Sequence, residues 1–152
     1  MRALGIDFGE RRIGIAISDP GGTYALPLET LTRVDDASAI TAIAAIAERE
    51  EIAWIAVGEP LRADGSAGPP ALRARRFATR LGITCGVPVE MIDETLTSRS
   101  AESRQREAGI APPRRRAGRK PDGRLDALSA QLLLQEALDR RQARLPRIPP
   151  SE

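Results

Sequence analysis

Three strand patterns follow one another at the start of the chain, with no space for a helix between them. Residues 3–8 (ALGIDF) and 13–18 (IGIAIS) are apolar runs of strand length, and the second alternates isoleucine with small residues. The link GERR between them is short and polar, which favours an antiparallel hairpin. A third strand is predicted between Thr23 and Thr32, after the turn sequence DPGG. The chain therefore begins as an antiparallel meander.

Helix and strand patterns alternate in the rest of the chain. The predicted elements are a helix over 36–50 with Asp35 or Asp36 as N-cap, a strand at 52–57, a helix around 74–81, a strand at 87–92, a short helix from Ser98 to Gly109, and a last helix over 124–142. The predicted inward-facing residues of these helices are Ile40, Ile43, Ala44 and Ala47, then Ala74, Phe77, Ala78 and Leu81, then Leu125, Leu128 and Leu132. The run IAWIAV at 52–57 is continuously apolar, which is typical of a central strand covered on both faces.

This order of elements predicts an α/β fold. Strands reached through helical crossovers tend to be parallel, so we expect a mixed five-stranded sheet in which a three-strand antiparallel meander is followed by parallel strands, with helices on its faces. Such an arrangement is compatible with an RNase H-like fold. A length of 152 residues with 41% hydrophobic residues fits one compact domain, which we assign to 1–142. Residues 143–152 are expected to be a disordered tail.

Composition limits the kinds of site that the chain can form. No apolar run is long enough for a signal peptide or a membrane span, so we expect a cytoplasmic protein. The single cysteine, Cys85, has no intramolecular disulfide partner, and without histidine a zinc site has no ligand set. Any metal ion must therefore be held by oxygen ligands.

Three separated carboxylates are candidates for such a site. Asp7 lies inside an apolar strand, where an unpaired carboxylate is costly; pairing with Arg11 or Arg12, or with backbone N–H groups of the turn, is the alternative explanation. Glu94 belongs to the cluster DETLTS, which directly follows the fifth strand, although that cluster would also suit an ordinary strand-to-helix turn. Asp126 lies near the start of the last helix, next to small residues that would let the helix approach the sheet.

A candidate site made of carboxylates, in a chain that has no histidine, matches the preference of hard divalent cations for oxygen ligands. Two ions roughly 4 Å apart could activate a water and stabilise the leaving oxygen in phosphodiester hydrolysis. This chemistry requires the three carboxylates to converge, which composition and spacing do not demonstrate.

Four motifs taken together resemble one family. They are GIDFGERRIGIAISD at 5–19, VGEPLRADGS at 57–66, DETLTS at 93–98 and KPDGRLDALSAQLLLQ at 120–135. In order and spacing they resemble the YqgF family, also called RuvX, which is related to the RuvC Holliday junction resolvases. The resemblance covers nearly the whole chain.

The resemblance implies an RNase H-like nuclease that needs Mg²⁺ or Mn²⁺, with two ions expected. Asp7, Glu94 and Asp126 match the acidic positions of the family and are the expected catalytic residues and metal ligands. Members are associated with 5′-end processing of pre-16S rRNA and with cleavage of branched DNA such as Holliday junctions. The sequence does not choose between these substrates.

Two departures leave the metal ligands open. The family motif VGxP usually has an apolar residue where this chain has Glu59, so Glu59 is either an added ligand or a surface acid. RuvC relatives pair two acids in the last helix, whereas here Gly123 lies three residues before Asp126 and Asp122 lies four before it. An acid near a helix N-terminus is also favoured by the helix dipole, so Asp122 needs no catalytic explanation.

A basic segment is the expected nucleic-acid contact. Arginine, which suits bidentate phosphate binding, dominates the stretch from 99 to 124. The residues assigned to nucleic-acid binding are Arg11, Arg12, Arg114, Arg115, Arg116, Arg119, Lys120 and Arg124. A solvated loop is the alternative for the segment. Aromatic residues make up only 3% of the chain, which favours recognition of backbone and shape over base stacking.

Two other functions compete with a nuclease. One is a catalytically silent nucleic-acid-binding module with the same fold. The other is an actin-like or sugar-kinase-like ATPase, which also begins with an aspartate-containing hairpin but needs two such domains. Both a monomer and a homodimer are compatible with the sequence, since symmetric cleavage of a four-way junction needs two active sites and RNA trimming needs one.

Overall fold

The computed structural model describes residues 1–95 and 123–144, with side chains of the last helix described from Asp126 onward. The strands are β1 (Arg2–Phe8), β2 (Arg12–Ser18), β3 (Ala25–Thr32), β4 (Ile52–Glu59) and β5 (Val89–Asp93), and the helices are α1 (Asp36–Arg49), α2 (Pro69–Cys85) and α3 (Gly123–Arg144). The predicted short helix, most of the basic segment, Asp122 and residues 145–152 lie outside the described part of the chain.

The strands form one mixed sheet in the order β3-β2-β1-β4-β5. β1 pairs antiparallel with β2, and β2 pairs antiparallel with β3, as the short polar turns predicted. β4 lies parallel to β1, and β5 lies parallel to β4, because each is reached through a helix. The predicted α/β fold with a mixed five-stranded sheet is confirmed.

Each face of the sheet has its own core. Alternate residues of a strand point to opposite faces, so Leu4, Ile6, Ile55 and Val57 join α1 and α2 in one buried cluster. Ala3, Ala16, Trp54, Ala56 and Ile92 join α3 in the other. The central position predicted for β4 is confirmed, since its residues contribute to both clusters.

The predicted faces of the helices are confirmed only in part: on α1, Ile40, Ile43 and Ala47 are buried, but Ala44 is half-buried, and Ala39 and Ile46 are buried in addition. Asp35 caps α1 by accepting a hydrogen bond of 2.6 Å from the backbone N–H of Ser38. The predicted face of α2 is buried, with Ala71 added to it. On α3 the predicted leucine face is wrong at Leu128, which is 45% exposed, and Leu132 is only half-buried, whereas Ala127, Ala130 and Ala137 are buried; the Leu125 side chain lies outside the described ones.

The error on α3 has a physical reason. α3 packs closely against glycines of the sheet, so alanines share the contact face with a different set of leucines, namely Leu133, Leu134 and Leu138. At Gly5 an added Cβ would lie 2.6 Å from Leu134 Cβ and 2.9 Å from the Ala130 carbonyl oxygen. α3 also continues to Arg144, two residues beyond its predicted end at 142.

Candidate active site

Asp7 lies at the carboxyl end of β1, on the α3 face of the sheet. Ala3 belongs to the cluster beneath α3, and Leu4 and Ile6 belong to the opposite cluster. The alternation of a strand therefore directs Asp7 to the α3 side. Asp7 pairs across the hairpin with Gly14 of β2. Because Gly14 has no side chain, β2 places none beside Asp7 at this position.

Glu94 approaches Asp7 from the β4–β5 side of the sheet. It directly follows β5, whose last residue, Asp93, is level with Glu59 at the end of β4. An added Cβ at Gly58 would overlap Glu94 Oε1 and would lie 2.9 Å from Glu94 Cγ. The absence of a side chain at Gly58 thus leaves the space that Glu94 occupies beside Asp7.

A hydrogen bond joins the two carboxyl groups, and burial affects both. Burial is the main cause that raises the pKa of Glu94 to about 8, followed by the charge of Asp7, a hydrogen bond with Asp7 and the charge of Asp93. Burial also raises the pKa of Asp7, while the hydrogen bond with Glu94 opposes that rise. These directions correspond to a protonated Glu94 that donates a hydrogen bond to the Asp7 carboxylate. Two acids held this closely cannot both ionise easily without a cation between them.

Asp126 is positioned by contact between α3 and β2. An added Cβ at Gly14 would overlap the backbone carbonyl of Asp126 and would lie 3.0 Å from the Ala127 N atom. Because Gly14 pairs with Asp7, this contact places the first described turn of α3 beside the strand position that carries Asp7. Asp126 Oδ2 and Glu94 Oε1 are both shielded from solvent.

The fit of this site to a divalent cation is partial. Asp7 and Glu94 form a pair of hard oxygen donors that already competes for one positive charge, which suits Mg²⁺ or Mn²⁺. Among residues 1–95 and 123–144, however, no three or more Asp, Glu, Cys or His side chains are grouped so that they could hold one metal ion. Asp126 shares the face and the edge of the sheet with the pair, but it does not complete a three-ligand cluster.

Glu59 belongs to the opposite face. Its side chain is 10% exposed and accepts a hydrogen bond of 2.6 Å from Arg75 of α2. Glu59 is therefore not the surface acid that the sequence left open, because it is buried, paired with an arginine and directed away from the face that carries Asp7. Asp93 likewise has a local partner, since its Oδ1 accepts from the N–H and the hydroxyl of Thr95 at 2.9 and 2.7 Å.

The predicted nucleic-acid contacts are described only in part. Arg11 is exposed and Arg12 half-buried, and both lie at the turn that follows Asp7. The other predicted contacts, from Arg114 to Arg124, fall outside the described side chains.

Sequence reasoning missed the glycines that shape the site. Gly14 and Gly58 were recognised only as parts of motifs. Each lacks a side chain at a position that Asp126 or Glu94 approaches closely. A signal was present, because a glycine within an otherwise apolar strand often marks a close approach of another backbone. Arg75, the partner of Glu59, was also missed, since charged residues on an amphipathic helix usually face solvent.

A mixed five-stranded sheet with this strand order, with Asp7 at the carboxyl end of the central strand and Glu94 directly after β5, defines an RNase H-like protein. The chain belongs to the RuvX Holliday junction resolvase family, whose family model matches residues 1–140. The resemblance seen in the sequence motifs is thereby confirmed. This match argues against the actin-like ATPase alternative.

Curated relatives and solved structures agree with this placement. A protein of Anaeromyxobacter sp. (strain K) named "Putative pre-16S rRNA nuclease" is 43% identical over 93% of this chain and 98% of its own. A protein of Syntrophus aciditrophicus with the same name is 40% identical over 91% of this chain and 89% of its own. Thermus thermophilus RuvC in complex with a Holliday junction substrate has a TM-score of 0.62 at 17% identity, covering 97% of this chain and 99% of its own. The fowlpox virus resolvase bound to Holliday junction DNA has a TM-score of 0.56 at 11% identity, over 93% and 99% of the two chains. The RNase H-like fold is confirmed.

Proposed function

We propose that this protein is a divalent-metal-dependent nuclease that hydrolyses phosphodiester bonds of structured nucleic acid. The observation that carries the proposal is the buried Asp7–Glu94 pair, which lies beside the segment of α3 that bears Asp126. Two acidic side chains buried side by side are unfavourable in a merely structural role, but they suit a site that binds a cation. Family membership and the names of the relatives support the same activity.

Asp7 and Glu94 would hold the cation, and Asp126 is assigned to the same site as the third catalytic acid. Mg²⁺ or Mn²⁺, as one or two ions, would supply activation of a water and neutralisation of phosphate charge. Glu94 must release the proton that it shares with Asp7 before both carboxylates can act as ligands. The packing of α3 on Gly14 holds the Asp126 backbone fixed relative to β1 while substrate binds.

The substrate that we propose is precursor 16S rRNA at its 5′ end, branched DNA of the Holliday junction type, or both. The curated relatives carry the first activity in their name, and the structural neighbours were solved with the second kind of substrate. Arg11 and Arg12, together with the basic segment from Arg114 to Arg124, would bind the phosphate backbone. We propose action in the cytoplasm, as a monomer on RNA or as a two-fold dimer on a junction. The structure describes no helix that is both long and apolar enough to span a membrane.

A catalytically silent nucleic-acid-binding module is the second candidate. The observation that favours it is the lack of a three-ligand cluster among the described residues. The two candidates predict different results when Mn²⁺ is added: a nuclease cleaves the bound nucleic acid, whereas a silent module binds it without cleavage.

The deciding experiment incubates purified protein and Mn²⁺ with a four-way DNA junction and, in parallel, with a structured precursor rRNA fragment. Asp7→Asn and Asp126→Asn are the matched inactive controls, because each removes a charge and keeps the side-chain size. We expect cleavage of at least one substrate by the wild type, with loss of cleavage and retention of binding in both variants. Binding without any cleavage by the wild type would instead establish the silent module.

A further inference from the structure

Helix α2 carries a row of arginines. Its 17 residues, Pro69–Cys85, include four arginines and no aspartate or glutamate. Arg73, Arg76 and Arg80 follow the i, i+3, i+7 spacing of one helix face, and all three are exposed. We call these three residues the α2 arginine stripe. Arg75 lies outside this row and is paired with Glu59.

The stripe begins at the same edge of the sheet as the catalytic acids. α2 follows β4 and returns antiparallel to it, so its N-terminus lies at the carboxyl end of the parallel strands. Arg73 reaches Glu10 in the turn after β1, with 3.4 Å between Nη2 and Oε1. Glu10 is three residues after Asp7 in the sequence. The stripe therefore begins at the sheet edge where Asp7 lies, on the face opposite to α3, and runs down the exposed side of α2.

The acids that neighbour the stripe bind it weakly. The Arg73 and Glu10 side chains are 45% and 82% exposed. Arg80 Nη1 lies 3.8 Å from Asp36 Oδ2, and the Arg80 side chain is 55% exposed. Exposed ion pairs of this kind contribute little to stability, so these guanidinium groups can exchange a carboxylate for a phosphate at small cost.

The start of α2 adds positive potential at the same place. The N-cap is Gly68, which supplies no capping side chain, and the first turn contains no acid. The positive end of the helix dipole is thus not offset by a carboxylate from its own helix. A polyanion that approaches this edge meets the dipole and the first stripe arginine together.

We propose that the α2 arginine stripe binds the phosphate backbone of the nucleic-acid substrate where it extends away from the acids. The proposal rests on the proposed function, and it adds a contact surface that the predicted basic segment does not include. A rise of about 1.5 Å per residue separates successive stripe positions by roughly 4.5 and 6 Å along the helix axis. Phosphates of one duplex strand follow one another every 3.4 Å or so along the duplex axis, so the whole stripe, about 10.5 Å long, covers the axial length of about three phosphate steps. Guanidinium–phosphate contacts are independent of base sequence and serve DNA and RNA alike.

The test compares two triple variants with the same change in net charge. One replaces the three stripe arginines with glutamine. The control replaces Arg49, Arg140 and Arg144 with glutamine; these lie toward the C-termini of α1 and α3, and each is in an exposed or half-exposed ion pair. Both are made in an Asp126→Asn background, so that substrate is bound but not cleaved. Fluorescence anisotropy measures the affinity for a labelled four-way DNA junction and for a labelled RNA hairpin at several salt concentrations.

A plot of log K against log salt concentration has a negative slope. We expect the magnitude of this slope to decrease by about 3 in the stripe variant and to stay unchanged in the control. Arg76→Gln alone should lower the slope by about 1, and thermal unfolding checks that each variant is folded. Equal slopes for the stripe variant and its parent would overturn the stripe while leaving the proposed function standing. A parent that binds neither nucleic acid would overturn both.

Discussion

Gly14→Ala tests how α3 positions Asp126. The alanine Cβ would overlap the Asp126 carbonyl and would also contact the Ala127 N atom. Both are backbone groups, so they cannot rotate away as a side chain can. Helix α3 would have to retreat by roughly 1 Å to recover an ordinary van der Waals separation. Overpacking of this kind destabilises a protein by about 1–3 kcal/mol. A catalytic group misplaced by about 1 Å can lower the rate about 100-fold.

The matched control is Gly5→Ala, which presses on the same helix near Leu134. The two residues that the new Cβ approaches, Leu134 and Ala130, are eight and four residues after Asp126, about 12 and 6 Å along the helix axis. Urea unfolding measures both losses of stability, and Mn²⁺-dependent cleavage is then assayed well below the unfolding midpoint. We expect similar losses of stability, with a much larger loss of activity in Gly14→Ala. Wild-type stability and activity in Gly14→Ala would refute the contact, and equal activity losses in both variants would refute its link to Asp126.

Three further predictions concern the acids and their neighbours. Because the folded protein holds the pKa of Glu94 at about 8 against an ordinary value of 4.5, it keeps a proton that the unfolded chain has lost, so the Tm measured in EDTA should fall as pH rises from about 5 to 8. Asp7→Asn removes the charge of Asp7 and should weaken this dependence without abolishing it, since burial is the larger cause; a Tm that rises with pH in the wild type would contradict the prediction. Gly58→Ala should displace the Glu94 side chain and abolish most cleavage, and unchanged turnover would show that this space is not needed. Arg75→Met leaves Glu59 buried without its arginine and should lower the Tm, whereas adding Glu59→Leu should restore it; a double variant no more stable than Arg75→Met would refute the pairing argument.

The secondary structure was predictable wherever local pattern and local burial agree. The alternation in β2, the apolar runs of β1 and β4 and the amphipathic pattern of α2 are each a local pattern that the sequence shows directly. Parallel pairing then followed from the helices between β1, β4 and β5. The buried face of α3 was not predicted correctly, because the pattern of leucines does not reveal that glycines and alanines of the sheet lie opposite this helix.

For this protein the sequence alone determined the order of the elements, the exclusion of histidine and cysteine metal sites, and the family to which the motifs belong. Only the tertiary structure decided that Glu94 rests in the space left by Gly58, that Glu59 turns to the other face, and that Asp126 is positioned by Gly14. The physical reason is that a strand's period fixes which face a residue takes only once its neighbours fix the register. Contacts between residues more than a hundred positions apart, such as that between Gly14 and Asp126, depend on how closely two surfaces pack, and no local pattern encodes that distance.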